Sequence, residues 1–407
     1  MSMEIRPIFA SLRKHRIPTL LIVLQIALAC AVLCNAVFMV SNRVGDIRLP
    51  NAIDEQGISV VDVQGTDPAL AASDTSRNLA ALRSIAGVEA VSVVHTMPLS
   101  RNNWGWSFGL SMDSLLADKR TNLSLYFVNQ DFDKAMGTRL LQGRYFNASE
   151  YADSTLGDGA LPKTHVVMIT DTLARQLWPG QSALGKTLYS KPDYFTVVGV
   201  IADVLRPQLS TPDRARSYYG AFFPLSPHES LHNYILRSAP ADRDRVMRAA
   251  VAKLQELNPQ GVVKGDTYAS MRDKYFATMR SMVWILVLVC VVMLAVTAFG
   301  IVGLTSFWVS QRRRQIGIRR AVGATRGDIL SYFRTENFLL SSAGVLLGML
   351  LAFAINLYLM RHYELDRMPW YYLPGGALAL WVIGQLAVLG PALRAASVPP
   401  VVATQSS

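Results

Sequence analysis

Cysteine is nearly absent from this 407-residue sequence, and charge is wholly absent from four long stretches of it. The three cysteines, Cys30, Cys34 and Cys290, all fall inside those stretches, so the segment from Arg43 to Arg280 has none and no disulfide holds it together. Cys30 and Cys34 share a helix face and read as small packing residues rather than a metal pair. The uncharged stretches cover residues 17–42, 281–311, 337–360 and 368–393. Each exceeds the ~20 residues a helix needs to cross hydrocarbon. Apolar residues gathered in blocks exclude an ordinary soluble globule and point to a membrane protein.

The first stretch contains Ala29-Cys30-Ala31, which has the look of a cleavage or lipid-attachment site. It stays apolar through Val40, however, well past the about 7–15 residues of a signal-peptide core, and is read as a retained span.

A net charge of +11 suggests nucleic acid in a soluble protein, but here the basic residues sit beside the apolar runs. Arg6, Arg13, Lys14 and Arg16 precede the first run; Arg312, Arg313, Arg314, Arg319, Arg320, Arg326 and Arg334 surround the join between the second and third. Segments dense in Lys and Arg stay cytoplasmic. The expected protein is therefore an α-helical, multi-pass membrane protein with four transmembrane helices and both termini inside, contacting lipid and no nucleic acid. Its segments are a cytoplasmic amphipathic N-terminus (1–16), spans at 17–42, 281–310, 335–360 and 370–392, a large outer domain (43–280), a cytoplasmic loop (311–334), an outer loop (361–369) and a cytoplasmic tail (393–407).

The outer domain alternates β-branched runs such as "GISVVDV", "VEAVSVV", "HVVMI", "YFTVVGVIADV" and "NYILRS" with helically spaced segments such as "TSRNLAALRSI", "TDTLARQLW" and "DRDRVMRAAVAKLQEL". A large mixed α/β domain of two subdomains is expected, with Thr170 or Asp171 capping the second helix and a surface loop at "YADSTLGDGALPKT". Met271, Tyr275 and Met279, four apart before the second span, predict that the domain is carried on helical stalks.

Two catalytic motifs fail in context. "GQSALGKT", 180–187, matches the phosphate-binding pattern G-x-x-x-x-G-K-[ST], whose chemistry needs a strand before the first glycine and a helix opening at the lysine. The sequence instead reads as a helix ending near Trp178-Pro179, with Pro192 soon after Thr187. "HESLH" (His228, Glu229, Ser230, Leu231, His232) matches the H-E-x-x-H of zinc peptidases, which places both histidines on one long helix. Here "PLSP" precedes it and a strand pattern follows at once, so a surface turn is expected. A third ligand such as Glu256 is not required by anything in the pattern. No catalytic residue, metal ligand or cofactor is assigned to this chain; a membrane-anchored zinc metalloprotease remains the outlying alternative.

The basic loop carries more than topology. Ile318, Ala321 and Val322 fall on one side of a short helix, Gly323 suits its end, and Thr325 with Asp328 form the T-x-x-D start of another helix. In the third span Gly344, Gly348 and Ala352 repeat small residues every four positions, a surface for dimerisation or for intramolecular packing. Asn35, Asn356 and Gln385 are expected to hydrogen-bond between helices.

The stretch "RRRQIGIRRAVGATRGDIL" resembles the signature of FtsX-like, MacB-type ABC-transporter permeases, approximately RRREIGIRRALGA followed by a helix start. "LLQGRYF", "TDTLARQLWPGQSALGK" and "FTVVGVIADV" resemble that family's recurring outer-domain segments, and the order of spans is the same. The resemblance implies a permease subunit relaying ATP-driven motion from an ATPase to its periplasmic domain, for efflux or extraction of peptides, lipoproteins or small toxic compounds. It implies that Ile316, Gly317, Ile318, Arg319, Arg320, Ala321, Val322, Gly323 and Ala324 seat on that ATPase, which carries the ATP and Mg. With about sixteen residues before the first span, the ATPase is expected on a separate polypeptide. The further partners implied are a second copy or related permease, a periplasmic adaptor and an outer-membrane channel. A non-transporting regulator of periplasmic enzymes is the alternative within the same family. Gln315 departs from the commoner glutamate, which puts in doubt any ion pair that position supplies.

Overall fold

The computed structural model describes residues 16–65, 70–117, 119–152, 154–156, 161–191, 193–209, 213–226, 231–363 and 367–397. The chain divides into two compact units, one drawn from Met1–Ile47 with Met279–Ser407 and the other from Arg48–Thr278. In chain order the elements are α1 (Arg16–Ile47), β1 (Ile58–Gln64), α2 (Ala71–Arg83), β2 (Val88–Val94), β3 (Gly105–Phe108), α3 (Met112–Leu116), β4 (Thr121–Val128), α4 (Phe132–Met136), β5 (Leu140–Gly143) and α5 (Ala148–Ala152). There follow β6 (Val166–Thr170), α6 (Asp171–Leu177), β7 (Thr187–Ser190), β8 (Asp193–Ile201), a 3-10 helix (Arg214–Tyr218), β9 (Gly220–Pro224), β10 (Asn233–Ser238), α7 (Arg243–Leu257) and β11 (Val262–Thr267). The chain then continues as α8 (Tyr268–Gln311), α9 (Arg313–Ala321), α10 (Arg326–Tyr363) and α11 (Tyr372–Ala396).

The strands of the outer unit form one sheet in the order β11-β1-β10-β2-β4-β9-β6-β8-β5, with β3 added to β4 and β7 to β8. The pairs β4/β9 and β6/β8 are parallel and the others antiparallel. The expected two subdomains are instead two halves of this sheet, joined where Val94 meets Val128. One buried cluster, from Val61 and Leu79 in the first half to Phe195 and Val200 in the second, runs across the join. Strand β4 and strand β9 at the centre are buried on both faces, which is why neither alternates in sequence. Tyr126 and Phe222, directly opposite each other on that pair, stack with ring centroids 4.5 Å apart.

Helix α6 has Thr170 at its N-cap position, but the side chain makes no cap bond; its hydroxyl donates instead to the Tyr218 carbonyl. Asp203, after β8, serves in its place, accepting from Thr172 N at 2.8 Å and Thr172 Oγ1 at 2.5 Å. The start of α8 also differs from expectation. Residues 268–278 belong to the outer unit, and the buried side chains there are Tyr268 and Phe276, one register away from Met271 and Tyr275. Between them Arg272 binds Glu55 at 2.6 Å and the Leu49 carbonyl at 2.9 Å.

Four helices, α1, α8, α10 and α11, are long and apolar enough to cross a membrane. Within their unit α10 packs on α1 through its small residues: a Cβ on Gly344 would lie 2.7 Å from Ile26 Cβ, and one on Gly348 2.5 Å from Cys30 Cβ. Ala352 continues the same line, its carbonyl accepting from Asn35 Nδ2 at 3.2 Å. The every-fourth-residue pattern is thus occupied within the chain. Asn356 Oδ1 accepts from Met368 N at 3.0 Å and Gln385 Nε2 donates to the Arg334 carbonyl at 3.4 Å, so these polar side chains bond backbone groups of other segments. Cys30 and Cys34 are buried and free.

Gly348→Ala should overpack the α1 contact and destabilise the unit by about 1–3 kcal/mol. Gly303→Ala, where a Cβ would meet nothing within 4 Å, should be neutral or stabilising by about 0.5–1 kcal/mol. Thermal unfolding of both variants in one detergent checks the contrast, and equal effects would contradict the assigned packing.

Candidate functional site

The basic loop folds as a helix, a tight turn and a helix. After α8 the helical run breaks at Arg312 and resumes as α9. The Ala324 N–H bonds the Arg319 carbonyl at 3.0 Å across Gly323, whose φ of +107° lies where only glycine is comfortable; this is the six-to-one closure of a glycine-stopped helix. Thr325 and Asp328 then form a reciprocal box: Asp328 Oδ2 accepts from Thr325 N at 3.0 Å and Thr325 Oγ1 at 2.7 Å, while Asp328 N donates to Thr325 Oγ1 at 3.2 Å. These bonds hold the Asp328 carboxyl below the usual carboxylate range, the Thr325 hydroxyl contributing most.

Helix α9 has two unlike sides. Ile316, only 6% exposed, joins the buried cluster with Ile329 and Phe333 of α10, and Gly317 is buried beside it. Burying such a side chain contributes about 1.5–3 kcal/mol. On the other side Ile318 is 51% and Val322 84% exposed, and Ala321 is exposed with them. Arg319 points back over the Tyr332 ring, 5.3 Å from its centroid. The backbone of Arg320 lies in α9; its side chain is outside the described residues. Between α9 and the first turns of α10 is a cavity of about 260 Å³, lined among others by Gln315, Ile316, Arg319, Asp328 and Tyr332. Gln315 is exposed at its mouth, and nothing in the structure explains why this position is not a glutamate.

The contact that sequence reasoning missed is the pair between Arg312 and Glu336. Arg312 Nη1 lies 3.2 Å from Glu336 Oε1 and 3.4 Å from Oε2, Glu336 is 1% exposed, and the guanidinium also sits 5.7 Å from the Trp308 ring centroid. Glu336 stands immediately before an uncharged run, and that position was the available signal.

The rejected motifs have ordinary structures. Gly180 and Gly185 occupy left-handed turns, Lys186 donates to Gln181 Oε1 at 3.1 Å, and Thr187 opens a strand where a phosphate loop opens a helix. His228, Glu229 and Ser230 lie outside the described residues, as does 157–160 of the expected surface loop; His232 directly precedes β10. Among the described residues no group of three or more His, Cys, Asp and Glu is placed to hold a metal.

A family model of the MacB-like periplasmic core domain matches residues 19–254, more than half of the chain, and one of the FtsX-like permease C-terminal region matches residues 287–400. The chain belongs to the MacB-type, FtsX-like permease family. Among its relatives, the macrolide export ATP-binding/permease protein MacB of Sodalis glossinidius is 26% identical over 343 residues, 81% of this chain and 50% of that protein. The protein of the same name from Chromobacterium violaceum is 26% identical over 245 residues, 58% of this chain and 35% of that one. This permease therefore spans half or less of the length of these relatives. The solved periplasmic region of MacB from Actinobacillus actinomycetemcomitans is similar with a TM-score of 0.36 at 13% identity, covering 55% of this chain and 94% of that one.

In this MacB-type permease, Glu336→Gln should break the charge pairing of two poorly solvated groups and cost up to about 3–5 kcal/mol. Thr325→Ala should cost about 1 kcal/mol through the lost cap. Because the folded Asp328 titrates below its unfolded value, the cap's support is complete above the unfolded pKa and is lost as pH falls through the folded one. Hydrogen exchange at the first turn of α10 should accelerate over that acidic window in wild type and show no such step in Asp328→Asn.

Proposed function

We propose that this permease is the transmembrane subunit of a MacB-type ABC transporter of the bacterial inner membrane, with α9 seated on a separate ATPase at the cytoplasmic face. Motion driven by ATP on that ATPase is relayed to the periplasmic domain for efflux or extraction of peptides, lipoproteins or small toxic compounds. The observation that carries this reading is the two-sidedness of α9, whose Ile316 is anchored in the helical unit while Ile318 and Val322 stand in solvent. Covering those two side chains offers ~3–6 kcal/mol before the costs of association. Rim arginines such as Arg313 and Arg314 add only about 0–1 kcal/mol per exposed pair and act mainly on encounter rate. Apolar seating therefore sets the affinity, which also makes the absence of a glutamate at Gln315 tolerable.

ATP and Mg belong to the partner in this account, and the chain supplies no catalytic group. A second copy or a related permease completes the membrane unit, with a periplasmic adaptor and an outer-membrane channel as further members of the assembly. The large exposed apolar surface of α8, including Trp284, Leu288 and Phe299, suits lipid or a second permease.

Ile318→Asp with Val322→Asp should reduce co-purification with the cognate ATPase at least tenfold and abolish stimulated ATP hydrolysis, while the thermal transition of the outer domain stays unchanged. Complex formation at the wild-type level would sink the seating assignment.

A further inference from the structure

The outer domain contains a second cavity, of about 490 Å³, bounded by the start of β4, helix α6, the chain after β8 and the flanks of the 3-10 helix. Its floor is Arg206, which is only 7% exposed. All the hydrogen-bond partners of that guanidinium are neutral: Nε donates to Ser124 Oγ at 2.5 Å, Nη2 to Asn122 Oδ1 at 3.2 Å and Nη1 to the Arg216 carbonyl at 3.4 Å. Five N–H groups are available on the fork, and these bonds engage three of them. Among the described residues no carboxylate reaches it.

A buried cation without a counter-charge is costly, and burial pulls the Arg206 pKa down from its ordinary value. Arg120 and Arg216 line the cavity with Arg206, and Asp213, the one lining carboxylate among the described residues, is engaged with Arg216 Nε at 3.2 Å. Gln176, Gln208 and the Tyr219 ring complete a lining able to bond a polar ligand around its charge. The volume falls within the roughly 300–1,000 Å³ of small-molecule sites.

We propose that this cavity binds an organic oxyanion, a carboxylate or phosphate group on a small molecule or chain end, with Arg206 as the buried counter-charge. A planar fork with free N–H groups matches either anion through paired hydrogen bonds. The neutral partners hold the guanidinium in place without neutralising it, so its charge stays available to a ligand. This site is independent of the ATPase-seating account: it lies wholly within the outer unit, and loss of ATPase binding leaves it intact.

The test is calorimetric titration of the full chain in neutral detergent, at constant ionic strength, with inorganic phosphate and separately with N-acetylalanine as a carboxylate probe. At least one probe should bind saturably at one site per chain, and the stronger of the two identifies the anion class. Arg206→Gln should weaken that binding at least tenfold. Because Arg206 also supports β4, a second variant is needed: Arg120→Glu, at an exposed position on the wall, should weaken binding at least tenfold with an unchanged unfolding transition. Absence of saturable binding by both probes, or wild-type affinity in folded Arg120→Glu, would overturn the proposal.

Discussion

The buried pair of Arg312 with Glu336 fixes where the basic segment begins. An arginine at the end of a long apolar helix can reach back to water, whereas this one turns inward, onto a glutamate at 1% exposure and over the Trp308 ring. The two charges meet where solvation is poor, so the turn between α8 and α9 is tied to α10 by electrostatics as well as by the chain. Ile316 adds an apolar anchor one turn later, and the glycine stop and reciprocal cap set the reversal into α10. With one side of α9 held by these contacts, its opposite side remains as exposed apolar surface.

Within the helical unit, Gln25 and Asn35 donate to backbone carbonyls of neighbouring helices, at Val296 and Ala352, and glycine appears where α10 packs closely on α1. The outer unit solves a different problem. Its sheet runs through a centre buried on both faces, and towards one side of it buried neutral groups pair with one another, as Asn78 does with Tyr234 and Asn258. Arg206 departs from that pattern because its partners supply hydrogen bonds but no charge.

Local signals were the legible ones. The reciprocal Thr325–Asp328 bonds and the glycine stop are decided within a few residues, so spacing alone exposes them, and the β-branched runs at β1, β2, β6, β8 and β10 stand out for the same reason. Strands β4 and β9 carry no alternation because both faces are buried, and their pairing is parallel between segments far apart in sequence. The face of α8 that packs in the outer unit, Tyr268 and Phe276, was missed because methionines one register away gave an equally good helical spacing. The inward face of α9 was missed for a similar reason: Ile316 and Gly317 belong to the same motif as Ile318, and only the fold separates the anchored from the exposed. Glu336 was hidden by treating charge beside an apolar run as topology. Which wall of the Arg206 cavity each residue occupies depends on a sheet order that no local pattern contains.

The account turns on the exposed side of α9 being covered by an ATPase. Site-specific photo-cross-linking reads this directly, with a photoreactive residue at Val322 compared against one at Phe307, which is exposed on α8. The account predicts that position 322 attaches the permease to an ATP-binding subunit in native membranes and that position 307 does not. Attachment of an ATP-binding subunit from neither position, or from both alike, would contradict it.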